Sequence, residues 1–330
     1  MKPESLNRRV LCLLMPGSML AASALSAETW TDTRGKTITA GFLALEGNKV
    51  SLDMKGKKVS VPMEKLSPDS QKRAQMLAES PVRELAGPLE PGKEYLYEIP
   101  FAQEEKQVVE RRIRPSAGLP MQPILRLSVT VPPDFDPEKP QKVIFVRATI
   151  SGNAGSGGHR IAIPAFMEAA QQLGWIIVSA DNPAGIPREN VLDAATLRTA
   201  CNMLEQAWPA FRSWTFATGG FSGGGTSSVH AIGGLHQAGI TVKGALVGGS
   251  RFYVYEDLAN AYKCPPEKST QVKYFFSNGR RDNLATPALV QDVISKMQAK
   301  GCKNTRVEWH EGGHSFYRPH IADALKWFAE

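Results

Sequence analysis

Residues 214–228 read WTFATGGFSGGGTSS, and the fold turns on what its first serine, Ser222, is doing there. The opening WTFAT has the β-branched and aromatic content of a strand, and a helical segment follows Ser222. Between them Gly220, Phe221, Ser222, Gly223 and Gly224 spell GxSxG. In a chain with 29 glycines the bare string says little, but a strand-turn-helix setting gives it a mechanical reason. A nucleophile on a strained turn leaves no room for neighbouring side chains, and the helix behind it aims its first amides at a developing oxyanion. The competing account is a glycine-rich turn in which Ser222 merely caps the helix. We read Ser222 as a nucleophile.

Working outward, strands and helices alternate. ILRLSVTV, KVIFVRAT, WIIVSAD, VKGALVGG, VKYFFSNG and TRVEWH read as strands; IPAFMEAAQQL, LDAATLRTACNMLEQAW, a capped segment from Thr286 and Pro287, and PHIADALKWF read as helices. Such alternation implies crossover connections and a mostly parallel, doubly wound α/β sheet covered on both faces. Ligands in such sheets bind beyond the carboxyl ends of the strands.

A serine hydroxyl needs a base within hydrogen-bond reach. Of the six histidines, His230 and His236 fall within the helix after Ser222, whereas His314 follows the last strand, in a glycine-rich loop that opens on the same edge as Ser222. His314 is the expected base. The orienting acid should come from another strand end, which selects Asp282 after VKYFFSNG, with Asp181 and Glu311 as weaker rivals.

The same region contains a second motif. HEGGH, residues 310–314, matches the HExxH zinc pattern, which would make His310, Glu311 and His314 the core of a metallohydrolase. That chemistry needs a helix, in which positions i and i+4 share a face. Gly312 and Gly313 would each cost a helix about 1 kcal/mol relative to alanine, and the alternation in TRVEW is that of a strand. We read the match as coincidence and expect no metal and no cofactor. Likewise GNAGSGG, residues 152–158, has P-loop spacing but lacks the Lys and Ser/Thr that would follow it. It reads as a glycine-rich lip beside the site.

The order Ser222, Asp282, His314, on strand ends and after a GxSxG turn, resembles the α/β-hydrolases from about Lys93 to Glu330. The resemblance implies acyl transfer through a covalent acyl-enzyme, with the Gly223 amide donating to the oxyanion. The second donor should lie in ATISGNAGSGG, where Ala148 and Thr149 stand in place of the frequent HG pair, so Thr149 or Ile150 is the candidate. A carboxylic-ester hydrolase acting on a small or polymeric ester is the leading expectation. A serine peptidase, the zinc metallohydrolase, and a non-catalytic binding protein on a hydrolase scaffold are the alternatives.

Ahead of this region, residues 28–72 form short alternating runs broken by RG, GN and KG turns, a meander of about four strands closed by Ser67 as N-cap and Pro68 at the first helical position. Trp30, Thr31, Asp32, Gly35, the LEGNKVSL hairpin and VPMEKLSPDSQ resemble homology domain 1 of Sla-type adaptors, a small barrel. That resemblance implies a peptide or protein ligand, although no ligand-binding residues carry over. Pro81, Pro88 and Pro91 suggest a linker over 73–95, with the hydrolase-like domain at 96–330.

Residues 1–27 combine a basic start, a short apolar stretch and small residues, the composition of a cleaved signal peptide, so a periplasmic or secreted protein is expected. No later stretch is apolar enough for stable membrane insertion. If Cys12 leaves with the leader, Cys201, Cys264 and Cys302 remain; Cys264 and Cys302 both fall in loops, where a disulfide and two free thiols are both open. The 42% hydrophobic and 22% charged composition is globular. The formal charge of +7 is scattered along the sequence rather than clustered, which excludes a nucleic-acid footprint.

Overall fold

The computed structural model describes residues 28–54, 57–78, 81–101, 103–112, 124–149, 158–181 and 190–330. The expected leader at 1–27, Ile150 and most of the glycine-rich lip lie outside the described residues. The chain divides into two compact units, the first ending at Ala78.

The first unit holds β1 (Glu28–Thr31), β2 (Thr37–Glu46), β3 (Lys49–Met54) and β4 (Lys57–Pro62), an antiparallel meander in sequence order, followed by α1 (Pro68–Ala78). The turns follow from their residues. Asp32 accepts from the Arg34 and Lys36 amides at 2.8 Å each, and Gly35 takes φ +82°. Its core is Trp30, Phe42, Val50, Leu52, Leu66 and Ala74; the Trp30 indole donates to the Ala40 carbonyl at 3.0 Å, so burying it leaves no polar group unpaired. Ser67 Oγ accepts from the Ser70 amide at 3.3 Å, as an N-cap does.

The second unit begins with α2 (Pro81–Leu85), and here the expected linker needs correcting. The helix expected to close the first domain near residue 72 runs on to Ala78, with Ala74 fully buried. Residues 81–95 pack onto the second unit instead of spanning freely: Leu85 is buried, Val82 and Leu89 lie against the same core, and the Leu85 carbonyl accepts from the Trp208 indole at 2.8 Å. Val82 and Leu85 share one face of α2 and Leu89 follows beyond its end, and the burial of these three outweighs the prolines around them.

The second unit continues through β5 (Tyr95–Pro100), α3 (Gln103–Arg112), β6 (Ile124–Thr130), β7 (Lys142–Arg147), α4 (Gly158–Leu173), β8 (Trp175–Asp181), α5 (Asn190–Ala207), β9 (Thr215–Phe221) and α6 (Gly223–Gln237). It closes with β10 (Val242–Gly248), α7 (Tyr255–Asn260), α8 (Pro266–Ser269), β11 (Lys273–Gly279), α9 (Pro287–Ala299), β12 (Thr305–His310) and α10 (Arg318–Ala329). Its eight strands form one sheet in the order β12-β11-β10-β9-β7-β8-β6-β5. All neighbours are parallel except β6, which is antiparallel to both β5 and β8. The sheet is mostly parallel, with helices packed on both of its faces.

The central strands are apolar on both sides because both faces are covered. In β7, Val143 and Phe145 enter the core that includes α5 and α6, while Ile144 and Val146 enter the core that includes α4 and α10. Cys201, Cys264 and Cys302 are all free thiols and buried. The Cys264 thiol faces the Pro265 carbonyl at 3.9 Å, and the Cys302 thiol pairs with the Tyr255 hydroxyl, so the disulfide left open by the sequence is not formed.

Candidate active site

Because β7, β9, β10, β11 and β12 run parallel, their following loops open on one edge of the sheet. Ser222 sits there, between β9 and α6, at φ +57° and ψ −122°. Only Ser222 and Lys263 among the described non-glycine residues have positive φ. Such a conformation is strained for a residue with a Cβ and needs surroundings that impose it. The Ser222 amide bonds to the Gly248 carbonyl at 2.8 Å, tying the turn to β10.

The two outer glycines of GxSxG are required by contact. A Cβ on Gly220 would lie 2.4 Å from the Gly224 carbonyl oxygen and 2.6 Å from that of Arg147; one on Gly224 would lie 2.3 Å from the Arg147 oxygen. These are backbone atoms that cannot swing away, so any side chain there would have to part β7 from the turn.

Ser222 does not cap α6 with its side chain. Its hydroxyl donates instead to His314 Nε2 at 3.0 Å, and His314 Nδ1–H donates to Asp282 Oδ2 at 2.7 Å. The tautomer follows from the partners, since a carboxylate can only accept. Asp282 Oδ1 accepts the amides of Leu284 and Ala285, both at 2.8 Å, which fixes the acid on the β11–α9 loop. The imidazole is also held by ring contact, with Phe221 4.7 Å away.

The Asp282 side chain is fully buried. Burial alone would push its carboxyl up, but the hydrogen bond from His314 and the two backbone amides reverse this and hold it below the usual carboxylate range. A carboxyl depressed in the native state binds fewer protons than in the unfolded chain. Its contribution to stability is therefore present above the unfolded value and is lost as pH falls through the lower native one. In Asp282→Asn the loss of stability below about pH 4 should be shallower than in the parent, read as denaturant midpoint against pH. Parallel profiles for the two proteins would contradict this.

The other candidates lie elsewhere. Asp181 ends β8, where Ser179 bonds its carboxylate at 3.3 Å; Glu311 is exposed and pairs with Arg280 at 3.0 Å. His230 pairs with Asp257 at 2.8 Å. HEGGH begins on the last residue of β12 and continues through a turn, so it is not helical. His310 stacks on Tyr317 at 4.9 Å and accepts the Gly312 amide, while both ring nitrogens of His314 are engaged by Ser222 and Asp282.

Gly223 opens α6, and a Cβ built on it would come within 3.1 Å of the Thr149 methyl and 3.5 Å of the Thr149 Cα, so Thr149 borders the Ser222 turn. Its hydroxyl reaches the Phe221 carbonyl at 3.3 Å. Ile150 lies outside the described residues.

No protein-family model and no curated protein sequence matches the chain. Solved structures do resemble it. An esterase from Pyrococcus furiosus is 12% identical over 74% of this chain and 95% of its own, with a TM-score of 0.49. An α/β serine hydrolase without a lid, from Xanthomonas campestris, is 17% identical over 74% and 96%, also at 0.49. A bifunctional GH43-CE protein from Bacteroides eggerthii is 14% identical over 62% of this chain, at 0.46, and the match spans only 35% of that longer protein.

Sequence reasoning missed one buried group at the site. Arg147, the last residue of β7, is nearly inaccessible and pairs with Asp193 of α5, while its Nη1 donates to the Ala180 carbonyl at 2.7 Å. The signal was there: an arginine closing the apolar run KVIFV has to find a charge partner.

Proposed function

We propose that the protein is a serine hydrolase that cleaves carboxylic esters. The observation that carries this is the hydroxyl of Ser222, on a strained turn, hydrogen-bonded at 3.0 Å to an imidazole that a buried carboxylate holds at 2.7 Å. As the Ser222 oxygen attacks the ester carbonyl, its proton passes to His314 Nε2, and Asp282 stabilises the imidazolium. The oxyanion forms opposite the amino end of α6, with the Gly223 amide and Thr149 as the proposed donors. His314 then returns the proton to the departing alkoxide. A water molecule repeats the sequence on the acyl-enzyme, releasing the acid and restoring the serine.

The purified protein should be labelled covalently by a fluorophosphonate, and Ser222→Ala should abolish the labelling. Persistent modification of another residue would reject the assignment. In the same reading the protein is exported, and the N-terminal unit is an adaptor-like module that takes a peptide or protein ligand. The meander closed by Ser67 and Pro68 supports the module, and the composition of residues 1–27 supports export.

A further inference from the structure

The loops around Ser222 are rich in arginine. Arg160 at the start of α4, Arg251 after β10, Arg280 and Arg281 after β11, and Arg318 at the start of α10 are all exposed and all lie at the carboxyl edge of the sheet. The only exposed carboxylate in the described parts of these loops is Glu311, which pairs with Arg280. Glu256 and Asp257, just beyond Arg251, pair with Lys300 and His230. Arg251 and Arg281 instead donate to the carbonyl oxygens of Leu284 and Glu311, at 3.0 and 2.5 Å, which orients them without neutralising their charge. On the opposite edge, the loop leading into β7 carries Asp134, Asp136 and Glu138 against Lys139, while the loop leading into β12 carries Lys300 and Lys303. The five arginines form a positive rim at the carboxyl edge.

Two features place this rim beside the His314–Asp282 pair. Gly249, two residues before Arg251, takes φ +52°, and a Cβ there would fall 3.2 Å from the His314 ring and 2.5 Å from that of Phe221. Arg281 directly precedes Asp282. The same loops also expose apolar side chains: Phe252, Leu284 and Tyr317 are 58%, 50% and 42% accessible. Exposed aromatic and aliphatic groups interleaved with fixed guanidinium groups suit a ligand with an apolar part beside an anionic one.

On the reading that Ser222 is the ester-cleaving nucleophile, we infer that the substrate is an ester bearing a carboxylate next to an apolar group, with Arg251 and Arg281 taking the carboxylate. Clefts lined by one sign of charge raise both local concentration and encounter rate for the opposite sign. Two matched pairs of esters test it. Para-acetoxybenzoate against its methyl ester puts the charge on the leaving group, and mono-para-nitrophenyl glutarate against para-nitrophenyl valerate puts it on the acyl group.

In at least one pair the charged member should have kcat/KM about tenfold higher at low ionic strength. That ratio should shrink as salt shortens the screening length from about 30 Å at 0.01 M to about 3 Å at 1 M. It should also fall by roughly threefold or more in Arg251→Gln and in Arg281→Gln. Both side chains are exposed, so neither change threatens the fold. Equal or faster turnover of the neutral member in both pairs, in protein that takes the fluorophosphonate at Ser222, would overturn the inference and leave the serine hydrolase standing. A preference indifferent to salt would overturn it too. Absence of both labelling and turnover would reject the hydrolase reading and this inference together.

Discussion

His314→Ala should lower kcat by roughly 10⁴- to 10⁶-fold while KM changes little. The Ser222 hydroxyl reaches one ring nitrogen, Nε2 of His314 at 3.0 Å, and His310, His320 and His230 are each held by other partners, so none of these three imidazoles stands ready to take the proton. Binding of an ester draws on the rim and not on the base, which is why the loss should fall on kcat. The substitution also deprives a buried carboxylate of one of its three hydrogen bonds, leaving the Leu284 and Ala285 amides. A destabilisation of about 1–3 kcal/mol should accompany it, small enough for the fold to survive. Steady-state kinetics and a thermal melt on the same preparation separate the two effects. Because the base and nucleophile act as a unit, Ser222→Ala combined with His314→Ala should be no slower than either alone. A folded His314→Ala variant within tenfold of the parent would end the mechanism.

The parts of this site legible in the sequence are those that constrain the backbone locally. Gly220 and Gly224 stand in GxSxG because carbonyl oxygens occupy the space where a side chain would go, and that need leaves its mark at fixed spacing. Asp282 and His314 were reachable by a topological step: in a parallel sheet, loops after β11 and β12 must open on the edge that holds Ser222. Strand direction was harder to read. The run ILRLSVTV alternates Leu125, Leu127, Val129 and Val131 with Arg126, Ser128 and Thr130, where VIFV and WIIV are continuously apolar, and that period-2 pattern is the faint mark of a strand that pairs antiparallel with both its neighbours. Residues 81–95 misled because prolines are visible in a sequence while the cavity that receives Leu85 is not. Arg147 shows the limit most plainly. Its need for a partner is local, but Asp193 lies 46 residues away on another element, and only the packed structure pairs them.

That pair predicts the largest loss of stability. Both side chains are about 95% or more buried, and a guanidinium cannot shed its proton to escape a low-dielectric site. Among the described residues Asp193→Ala therefore strands a cation with only the Ala180 carbonyl facing it, which should cost about 3–5 kcal/mol. In a unit of this size each kcal/mol moves the midpoint by about 2–4 °C, so the melting temperature should fall on the order of 10 °C. Removing both charges together is a different matter. Arg147→Met with Asp193→Leu fills the space with apolar atoms and leaves no ion to solvate, so the double variant should melt within a few degrees of the parent. The two results would also locate the effect on catalysis. The Arg147 carbonyl lies where side chains on Gly220 and Gly224 would go, and Thr149 beside Gly223 follows two residues later. Loosening the end of β7 should therefore slow turnover in Asp193→Ala well below its melting temperature. Recovery of both stability and turnover in the double variant would mean that the pair serves the site by filling space beneath the turn. Recovery of stability alone would mean that the hydrogen bond from Arg147 to Ala180, lost with methionine, is what holds the end of β7 in place against the Ser222 turn.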